Sequence, residues 1–251
     1  MAKQTAFEPP FTVTEWLKFH FVPSRLYARY LEKKNLRNGE AELHLLPDLV
    51  QRDRVAVDVG ANKGVYTRLL ANLTSHVHAF EPNPKAYRWL NRSLPANVTS
   101  HRIALSDRDG EGVLYVPQHG RGYSNQHGSL HESTAAAPHG AVTIEVRTLD
   151  SCALTNVGFI KIDVEGFEAE VLAGAQRTIH QFQPTLLIEI EEKHTGRPLE
   201  DSIADVEKLG YEAYFVDQGK LKPLTTFDPE RRHRAPAQKS DYVFNFIFKP
   251  A

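Results

Sequence analysis

After Arg54 the sequence alternates between short apolar runs and segments with helical spacing, and this alternation constrains the fold more than any other feature. Valine-rich runs such as "VAVDV" are typical of strands that are buried on both faces. Two runs, "GVLYV" at 112–116 and "VTIEV" at 142–146, alternate like half-exposed strands, and seven further strand-like runs lie at residues 55–59, 76–80, 98–105, 159–163, 184–190, 211–216 and 242–248. Together they predict an α/β fold with a mainly parallel seven-stranded sheet and helices on both faces.

Polar residues follow the predicted strands at the points where the strands end. In open parallel sheets the ligand binds beyond the carboxyl ends of the strands. The residues at these ends are Asp58, Gly60, Glu81, Ser106, Asp107, Asp163, Glu189 and Glu191. Their regular placement predicts a ligand site at this edge of the sheet.

The stretch "VAVDVGANKGVYT" at 55–67 runs from a strand through two glycines into a helix. Read alone, it is either a tight turn or a ligand cradle. Glu81 closes the next strand, at a distance where an acid typically binds ribose hydroxyls. The glycines match neither G-x-G-x-x-G nor a P-loop, and Asp58 would repel a pyrophosphate. A ligand with a ribose and an amine but no phosphate fits better, and S-adenosylmethionine is one.

Four segments, "VDVGANKGVYT", "FEPNP", "IALSD" and "IKIDVEGFEAEVLAGA", follow one another in a familiar order. The chain thereby resembles the FkbM-type S-adenosylmethionine-dependent methyltransferases over roughly residues 40–190. The resemblance implies a Rossmann-like class I methyltransferase fold and S-adenosylmethionine as the cofactor. The residues expected at the cofactor are Asp58, Gly60, Asn62, Gly64, Tyr66, Thr67, Glu81, Pro82, Asn83, Ser106, Asp107 and Asp163.

Within this set the resemblance implies separate roles. Glu81 would hold the ribose hydroxyls, Asp107 would accept from the adenine amine, and Asp163 would lie near the methyl group. Each role has a structural alternative. The two glycines, Gly60 and Gly64, would be ordinary turn glycines, and Glu81 would be a solvated acid. The Ser106–Asp107 pair would be a plain turn.

Methyl transfer to a hydroxyl requires alignment of the acceptor and removal of its proton. Asp163 is the first candidate for the base, ahead of Glu165 and His194, and Lys161 lies on the same strand face as Asp163. The structural alternatives are a helix cap for Asp163, a first-turn helix acid for Glu165, a loop histidine for His194 and a buried ion pair for Lys161.

A divalent metal that lowers the pKa of the acceptor hydroxyl is the less favoured alternative to a side-chain base. Asp163, Glu189 and Glu191 offer oxygen ligands. The fifth strand lacks the adjacent Asp-Asp or Asp-Asn pair at its end, so no residue is assigned as a metal ligand.

The expected reaction is O-methylation of a sugar hydroxyl in a polysaccharide or glycosylated natural product. Carboxyl, phenol or polyketide hydroxyl acceptors, and a scaffold with an inactive site, are the alternatives. A small molecule or glycan is therefore the expected partner. Nucleic acid is not expected, because the formal net charge is -1, no N-P-P-Y follows the fourth strand, and "RRHR" at 231–234 is the only basic run.

We expect a helical cap at residues 1–50 and the methyltransferase domain at 51–251. Trp16, Phe19 and Leu26 recur at helical spacing, and Pro23 separates two predicted helices. A dimer, membrane-surface or substrate-lid element is the alternative for the cap, and a homodimer is left open. The single cysteine and the lack of a leader or a long apolar run favour the cytoplasm.

The segment at 117–140 is rich in Gly, Ser and His, with histidines at 119, 127, 131 and 139. A lid over the acceptor is the preferred interpretation, and disorder is the alternative. A zinc site is disfavoured, because no carboxylate or cysteine stands at a fixed spacing from these histidines.

Overall fold

The computed structural model describes residues 7–92, 94–119, 122–123 and 139–251. Most of the predicted lid, with His127 and His131, lies outside the described residues. Within the described ranges, no helix has the length and apolar character that crossing a bilayer requires.

The helices are α1 (Val13–Phe21), α2 (Ser24–Asn38), α3 (Leu46–Leu49), α4 (Val65–Ala71), α5 (Pro84–Asn91), α6 (Glu168–Ala173), α7 (Gln176–Phe182), α8 (Glu192–Thr195) and α9 (Leu199–Glu207). The strands are β1 (Val55–Val59), β2 (His76–Phe80), β3 (Val98–His101), β4 (Ala104–Leu105), β5 (Gly110–His119), β6 (Gly122–Tyr123), β7 (His139–Arg147), β8 (Val157–Ile162), β9 (Thr185–Glu189), β10 (Tyr211–Asp217), β11 (Lys220–Pro223) and β12 (Asn245–Pro250).

The main sheet has the strand order β11-β10-β12-β9-β8-β1-β2-β3. The pairings from β3 to β9 are parallel, and those from β9 through β12 and β10 to β11 are antiparallel. β1 and β8 are neighbours in the main sheet, and from them the strands that follow in sequence extend in opposite directions, β2 and β3 on one side and β9 on the other. Ligands bind at such a switch point in open parallel sheets.

Apolar side chains on both faces of the sheet explain why β1 and β8 read as continuous hydrophobic runs. Val57 and Val59 belong to a buried cluster that contains residues of α6, α7 and α9. Ala56 points to the opposite face and packs in a second cluster with Tyr66 and Leu70 of α4. The predicted α/β architecture with helices on both faces is confirmed.

The main sheet contains eight described strands rather than the predicted seven. The extra strand, β11, pairs with β10 through a two-residue hairpin loop, Gln218–Gly219. Both loop residues have positive φ, 50° and 73°, as a type I′ turn requires. The sequence pattern does not predict β11, and the "QG" dipeptide is the local signal for this hairpin.

A second, smaller sheet of order β4-β7-β5-β6 contains the two half-exposed strands that the sequence predicts. β5 and β7 pair antiparallel from Gly110–Val146 to Pro117–His139. In β7 buried and exposed residues alternate after the first position, as expected for a strand with one solvated face.

The N-terminal helices pack onto α5 through aromatic side chains. α1 begins with a capping box in which Thr12 and Glu15 bond each other's backbone, and Pro23 separates it from α2. The rings of Phe19 and Tyr27 lie 5.0 and 4.7 Å from the ring of Trp89 on α5. These contacts place α1 and α2 beside the glycine turn that follows β1.

Candidate active site

The turn after β1 requires glycine at two positions. Gly60 has φ 78°, and a Cβ there would lie 1.8 Å from the carbonyl oxygen of Asp163. Gly64 has φ 77° and begins α4, and a Cβ there would lie 2.6 Å from Leu90 Cδ1. The turn therefore needs glycine for its backbone conformation and for the close approach of β8.

Asp58 is fully buried at the end of β1, directly opposite Lys161 of β8 in the strand register. Its Oδ2 accepts a hydrogen bond of 2.5 Å from Thr67 Oγ1. Burial raises the pKa of Asp58, while the charge of Lys161 and the Thr67 bond oppose that rise. Asp58 Oδ1 is buried and has no hydrogen-bond partner among the described residues.

Lys161 joins the carboxylates of this site into one network. Its Nζ donates to Asp163 Oδ2 at 2.7 Å and lies 4.7 Å from the centre of the Tyr66 ring. Burial alone would lower its pKa, but the charges of Asp163 and Asp58 outweigh burial and raise it. Lys161 is therefore a fixed cation, and Asp163 beside it keeps a side chain that is 27% exposed.

Glu81 is buried at the end of β2 and is oriented by two backbone donors. Its Oε2 accepts from the N–H of Asn62 at 2.7 Å, and its Oε1 accepts from the N–H of Asn83 at 2.8 Å. Burial raises its pKa to about 7, although both bonds lower it. Each carboxylate oxygen retains a lone pair, so Glu81 can accept two further hydrogen bonds from a ligand.

These residues surround a cavity of about 210 Å³, which we call the Glu81 cavity. Its floor is formed by residues that follow β1, β2 and β8. It is lined by Val59, Gly60, Asn62, Phe80, Glu81, Pro82, Asn83, Ile103, Ala104, Leu105, Leu114, Asp163, Val164, Glu165, Phe167, Glu189 and Glu40.

Ser106 and Asp107 do not line the Glu81 cavity; Ile103, Ala104 and Leu105 do. Ser106 is buried, and its hydroxyl donates to Asp107, which is paired with Arg108. The predicted contact of Ser106 and Asp107 with adenine stays a prediction.

A second, larger cavity of about 710 Å³ lies between α1, α2 and the glycine turn. We call it the lysine cavity, because Lys18, Lys34, Lys63 and Lys161 line it. Four residues line both cavities, namely Glu40, Gly60, Asn62 and Asp163. The two cavities therefore meet at the end of β8.

Glu40 is a site residue that sequence reasoning missed. Its Oε2 accepts from Tyr66 Oη at 2.6 Å and from Asn245 Nδ2 at 3.0 Å, so Glu40 ties the N-terminal segment to α4 and β12. Glu40 follows the end of α2 and belongs to no motif, so no local pattern marks it. Only the tertiary packing brings it to the site.

Glu165 and His194 form a pair beside Asp163. His194 Nδ1 lies 3.0 Å from Glu165 Oε2. Burial raises the pKa of Glu165 to about 7, with further increases from the charges of Asp163 and Glu191. Glu165 lines the Glu81 cavity, whereas His194 is absent from the lining of both cavities.

Glu189, Glu191 and His194 form a group of metal-donor atoms within 4.8 Å of one another, among the part of the chain that the structure describes. Glu191 already pairs with Lys193 Nζ at 2.5 Å and accepts from Tyr242 Oη. The cation of Lys193 therefore balances the charge of Glu191, and a metal-independent reaction stays a prediction.

Comparison with known proteins agrees with this fold. A family model described as the methyltransferase FkbM domain matches residues 58–213. The chain therefore belongs to the FkbM methyltransferase family, and its fold is the Rossmann-like fold of class I methyltransferases. Among solved structures, the FkbM methyltransferase of Methylobacillus flagellatus KT superposes on this chain with a TM-score of 0.50 and 16% sequence identity. The superposition covers 89% of this chain and 53% of that protein.

Two curated relatives are similar over a little more than half of this chain. The hexuronic acid methyltransferase AglP of Haloferax volcanii is 29% identical over 148 residues, or 56% of this chain and 58% of AglP. The 2-O-methyltransferase NoeI of Sinorhizobium fredii is 26% identical over 149 residues, or 52% of this chain and 61% of NoeI. The matches thus span about three fifths of each relative.

Proposed function

We propose that this protein is an S-adenosylmethionine-dependent methyltransferase that methylates a hydroxyl group of a sugar. The observation that carries the proposal is the position of Asp163, which lines both the Glu81 cavity and the lysine cavity. A carboxylate at such a junction faces a cofactor on one side and an acceptor on the other. The names of two relatives, a hexuronic acid methyltransferase and a 2-O-methyltransferase, support a sugar acceptor.

The residues present fit the adenosyl cofactor. Asn62 lines both cavities and has a buried Oδ1 without a partner among the described residues, and a ligand ammonium group supplies donors of the kind it lacks; Asp58, whose Oδ1 is also unpartnered there, lines neither cavity. Glu81, fixed by two backbone N–H groups, would hold the ribose hydroxyls. Ile103 and Leu105 provide an apolar wall for the base. When bound, the cofactor supplies a methyl group on a positively charged sulfur.

The protein's own part in the reaction is to orient the acceptor and to take its proton. Asp163 would accept the hydroxyl proton at Oδ1, because Oδ2 is held by Lys161. Lys161 is a positioning residue in this scheme, since it fixes the carboxylate and is itself fixed between Asp58, Asp163 and the Tyr66 ring. General-base catalysis of this kind contributes about 10²- to 10⁴-fold in rate.

The Glu165–His194 pair is the second candidate for the base. Glu165 has a pKa raised to about 7 and lines the Glu81 cavity, but it does not line the lysine cavity. Its place in the sequence, after the end of β8, agrees with a role in shaping the wall of the cofactor site. We therefore assign the base to Asp163.

The proposal is tested by titrating the protein calorimetrically with S-adenosylmethionine and then supplying methyl-labelled cofactor with neutral sugars, uronic acids, nucleotide sugars, phenols and dicarboxylates. We expect binding, and an alkali-stable methyl ether on a sugar. Absence of cofactor binding would contradict the cofactor assignment. Binding without transfer would identify a scaffold, and an alkali-labile methyl ester would identify a carboxyl acceptor. The cap at 1–50, the catalytic domain at 51–251, a cytoplasmic location and a homodimer stay predictions.

A further inference from the structure

The lysine cavity lies between the N-terminal helices and the glycine turn that follows β1. Leu26, Tyr27 and Tyr30 of α2 form one wall, and the turn from Gly60 to Lys63 forms the other. Asp163 lies where this cavity meets the Glu81 cavity. If the Glu81 cavity holds the cofactor, as proposed above, the lysine cavity is the space that remains for the acceptor.

Three lysines of this cavity have no partner within the described residues. Lys18, Lys34 and Lys63 form no ion pair and no side-chain hydrogen bond there. Lys18 and Lys34 are exposed, whereas Lys63 is half-buried, with its Nζ 5.9 Å from the centre of the Trp89 ring. Partial burial of an ammonium group that has no ion-pair partner costs free energy, so Lys63 favours an anionic ligand.

The charges of the surrounding groups agree with an excess of cations. Burial lowers the pKa of Lys63, and the charges of Lys85, Lys18 and Lys34 lower it further, against the opposing effect of Glu15. Lysines on three separate elements thus repel one another across this space. Such repulsion is relieved when an anion binds between them.

The carboxylates near the cavity are already engaged by other groups. Glu15 pairs with Lys85 at 2.9 Å, and Asp163 pairs with Lys161 at 2.7 Å. Glu40 accepts from two neutral donors, a tyrosine hydroxyl and an asparagine amide. Among the described residues, Asp163 and Glu40 form no ion pair with Lys18, Lys34 or Lys63, so these two acids leave the charge of the lysines available to a ligand.

The aromatic wall is suited to a sugar ring. Tyr27 and Tyr30 lie on α2 with their ring centres 6.3 Å apart and their planes 27° apart. Tyr30 is 59% exposed, so its ring is open to a ligand. Tyrosine offers an apolar face and a hydroxyl at once, the combination that a polyhydroxylated ring requires.

We propose that the lysine cavity binds an acceptor sugar that carries an anionic group, a carboxylate or a phosphate, with Lys18, Lys34 and Lys63 holding the anion. This inference rests on the proposed methyltransferase function and specifies its substrate class. The tyrosine wall packs against the ring and directs one hydroxyl toward Asp163. The acceptor is therefore a uronic acid or a phosphorylated sugar rather than a neutral sugar.

The test compares three sugars that differ in charge. The full protein, saturated with S-adenosylhomocysteine, is titrated with glucose, glucuronate and glucose 6-phosphate, and binding is followed by ligand-observed NMR. We expect one or both anions to bind at least about tenfold more tightly than glucose, as one charge-assisted contact provides. A preference for glucuronate or for glucose 6-phosphate identifies the anion.

The variant Lys34→Gln tests the lysines, and Lys33→Gln on the same helix is its matched control, because Lys33 is exposed and does not line the cavity. We expect Lys34→Gln to lose most of the anion preference, Lys33→Gln to retain it, and both to bind S-adenosylhomocysteine normally.

Three results would overturn the inference. The first is equal binding of glucose and both anions, and the second is an unchanged anion preference in Lys34→Gln. The third is a weaker affinity of Lys34→Gln for S-adenosylhomocysteine, which would show that the lysines hold the carboxylate of the cofactor. Methyl transfer to a neutral sugar would then leave the proposed function intact.

Discussion

Gly60 lies where a single methyl group would collide with the end of β8, since its Cβ would sit 1.8 Å from the Asp163 carbonyl oxygen. We predict that Gly60→Ala destabilises the protein by more than about 2 kcal/mol, because strain and steric clash act together. Gly219→Ala is the control, since Gly219 has φ 73° but open space around it. Urea denaturation of both variants measures the difference; equal losses would show that backbone strain alone matters at Gly60.

We predict that Glu81 makes cofactor binding depend on pH. Burial raises the pKa of Glu81 to about 7, and if Glu81 holds the ribose as proposed, only its ionised carboxylate would accept from both ribose hydroxyls. The affinity for S-adenosylhomocysteine should therefore rise about tenfold between about pH 6 and pH 8. Glu81→Gln should bind more weakly and lose this part of the pH dependence. An unchanged pH profile in Glu81→Gln would assign the titration to another group, such as Glu165.

Residues differ in how far the sequence can predict them. Asp58, Gly60 and Glu81 could be placed because each directly follows a buried strand, and strand ends meet at one edge of a parallel sheet. Glu40 could not, because its contacts with Tyr66 and Asn245 join segments that are far apart along the chain.

At the scale of one element, the turn from β8 into α6 depends on a buried acid. Glu168 Oε1 accepts from the N–H groups of Val164 and Gly166, while its Oε2 is buried without a partner among the described residues. Burial raises the pKa of Glu168 to about 7. The folded protein therefore holds this proton more tightly than the unfolded chain does.

This difference gives Glu168 a pH-dependent contribution to stability. The contribution is fully present below about pH 4.5 and is lost as the pH rises through about 7. Glutamine does not titrate, so Glu168→Gln should become more stable relative to the unmodified protein between about pH 5 and pH 8. Urea denaturation at both pH values tests this, with Glu170→Gln on the same helix as the control for a lost first-turn charge. A pH-independent difference would contradict the assigned burial.

Helices and strands can be predicted from the sequence where the spacing of apolar residues and the length of the segment indicate the same element. The strands of the parallel half were predicted because they are apolar on both faces, and the two α-helices around Pro23 because proline cannot continue a helix. The β10–β11 hairpin was not predicted, because its strand, "KLKP", is polar and exposed. Edge strands carry such residues, so the turn dipeptide Gln218–Gly219 is the only local signal.

For the whole molecule, Trp89 joins the N-terminal helices to the sheet domain. Its buried ring contacts Phe11, Phe19 and Tyr27 at centroid distances of 4.7 to 5.8 Å. We predict that Trp89→Ala costs about 3–5 kcal/mol and exposes α1 and α2 to proteolysis. Trp16→Ala is the control, because Trp16 is 47% exposed. Equal protease sensitivity of the two variants would refute Trp89 as the anchor.

The sequence could not predict the junction of the two cavities, which arises only when the N-terminal helices pack beside the glycine turn. Helical periodicity predicts α1 and α2 but does not say which surface they cover. Three of the four lysines that line the lysine cavity are on α1, α2 and the glycine turn, and in sequence they are ordinary surface residues. Their place around one cavity that Asp163 also lines is a property of the tertiary structure.

The most direct test of the central claim is methyl transfer by Asp163→Asn, measured with labelled S-adenosylmethionine and the best acceptor sugar, alongside calorimetric titration of the cofactor. Asp163 at the junction predicts a loss of turnover of at least about a hundredfold, larger than any change in cofactor affinity. Glu165→Gln should retain turnover within about tenfold of the unmodified protein. Near-normal turnover of Asp163→Asn, or a larger loss in Glu165→Gln, would contradict the account.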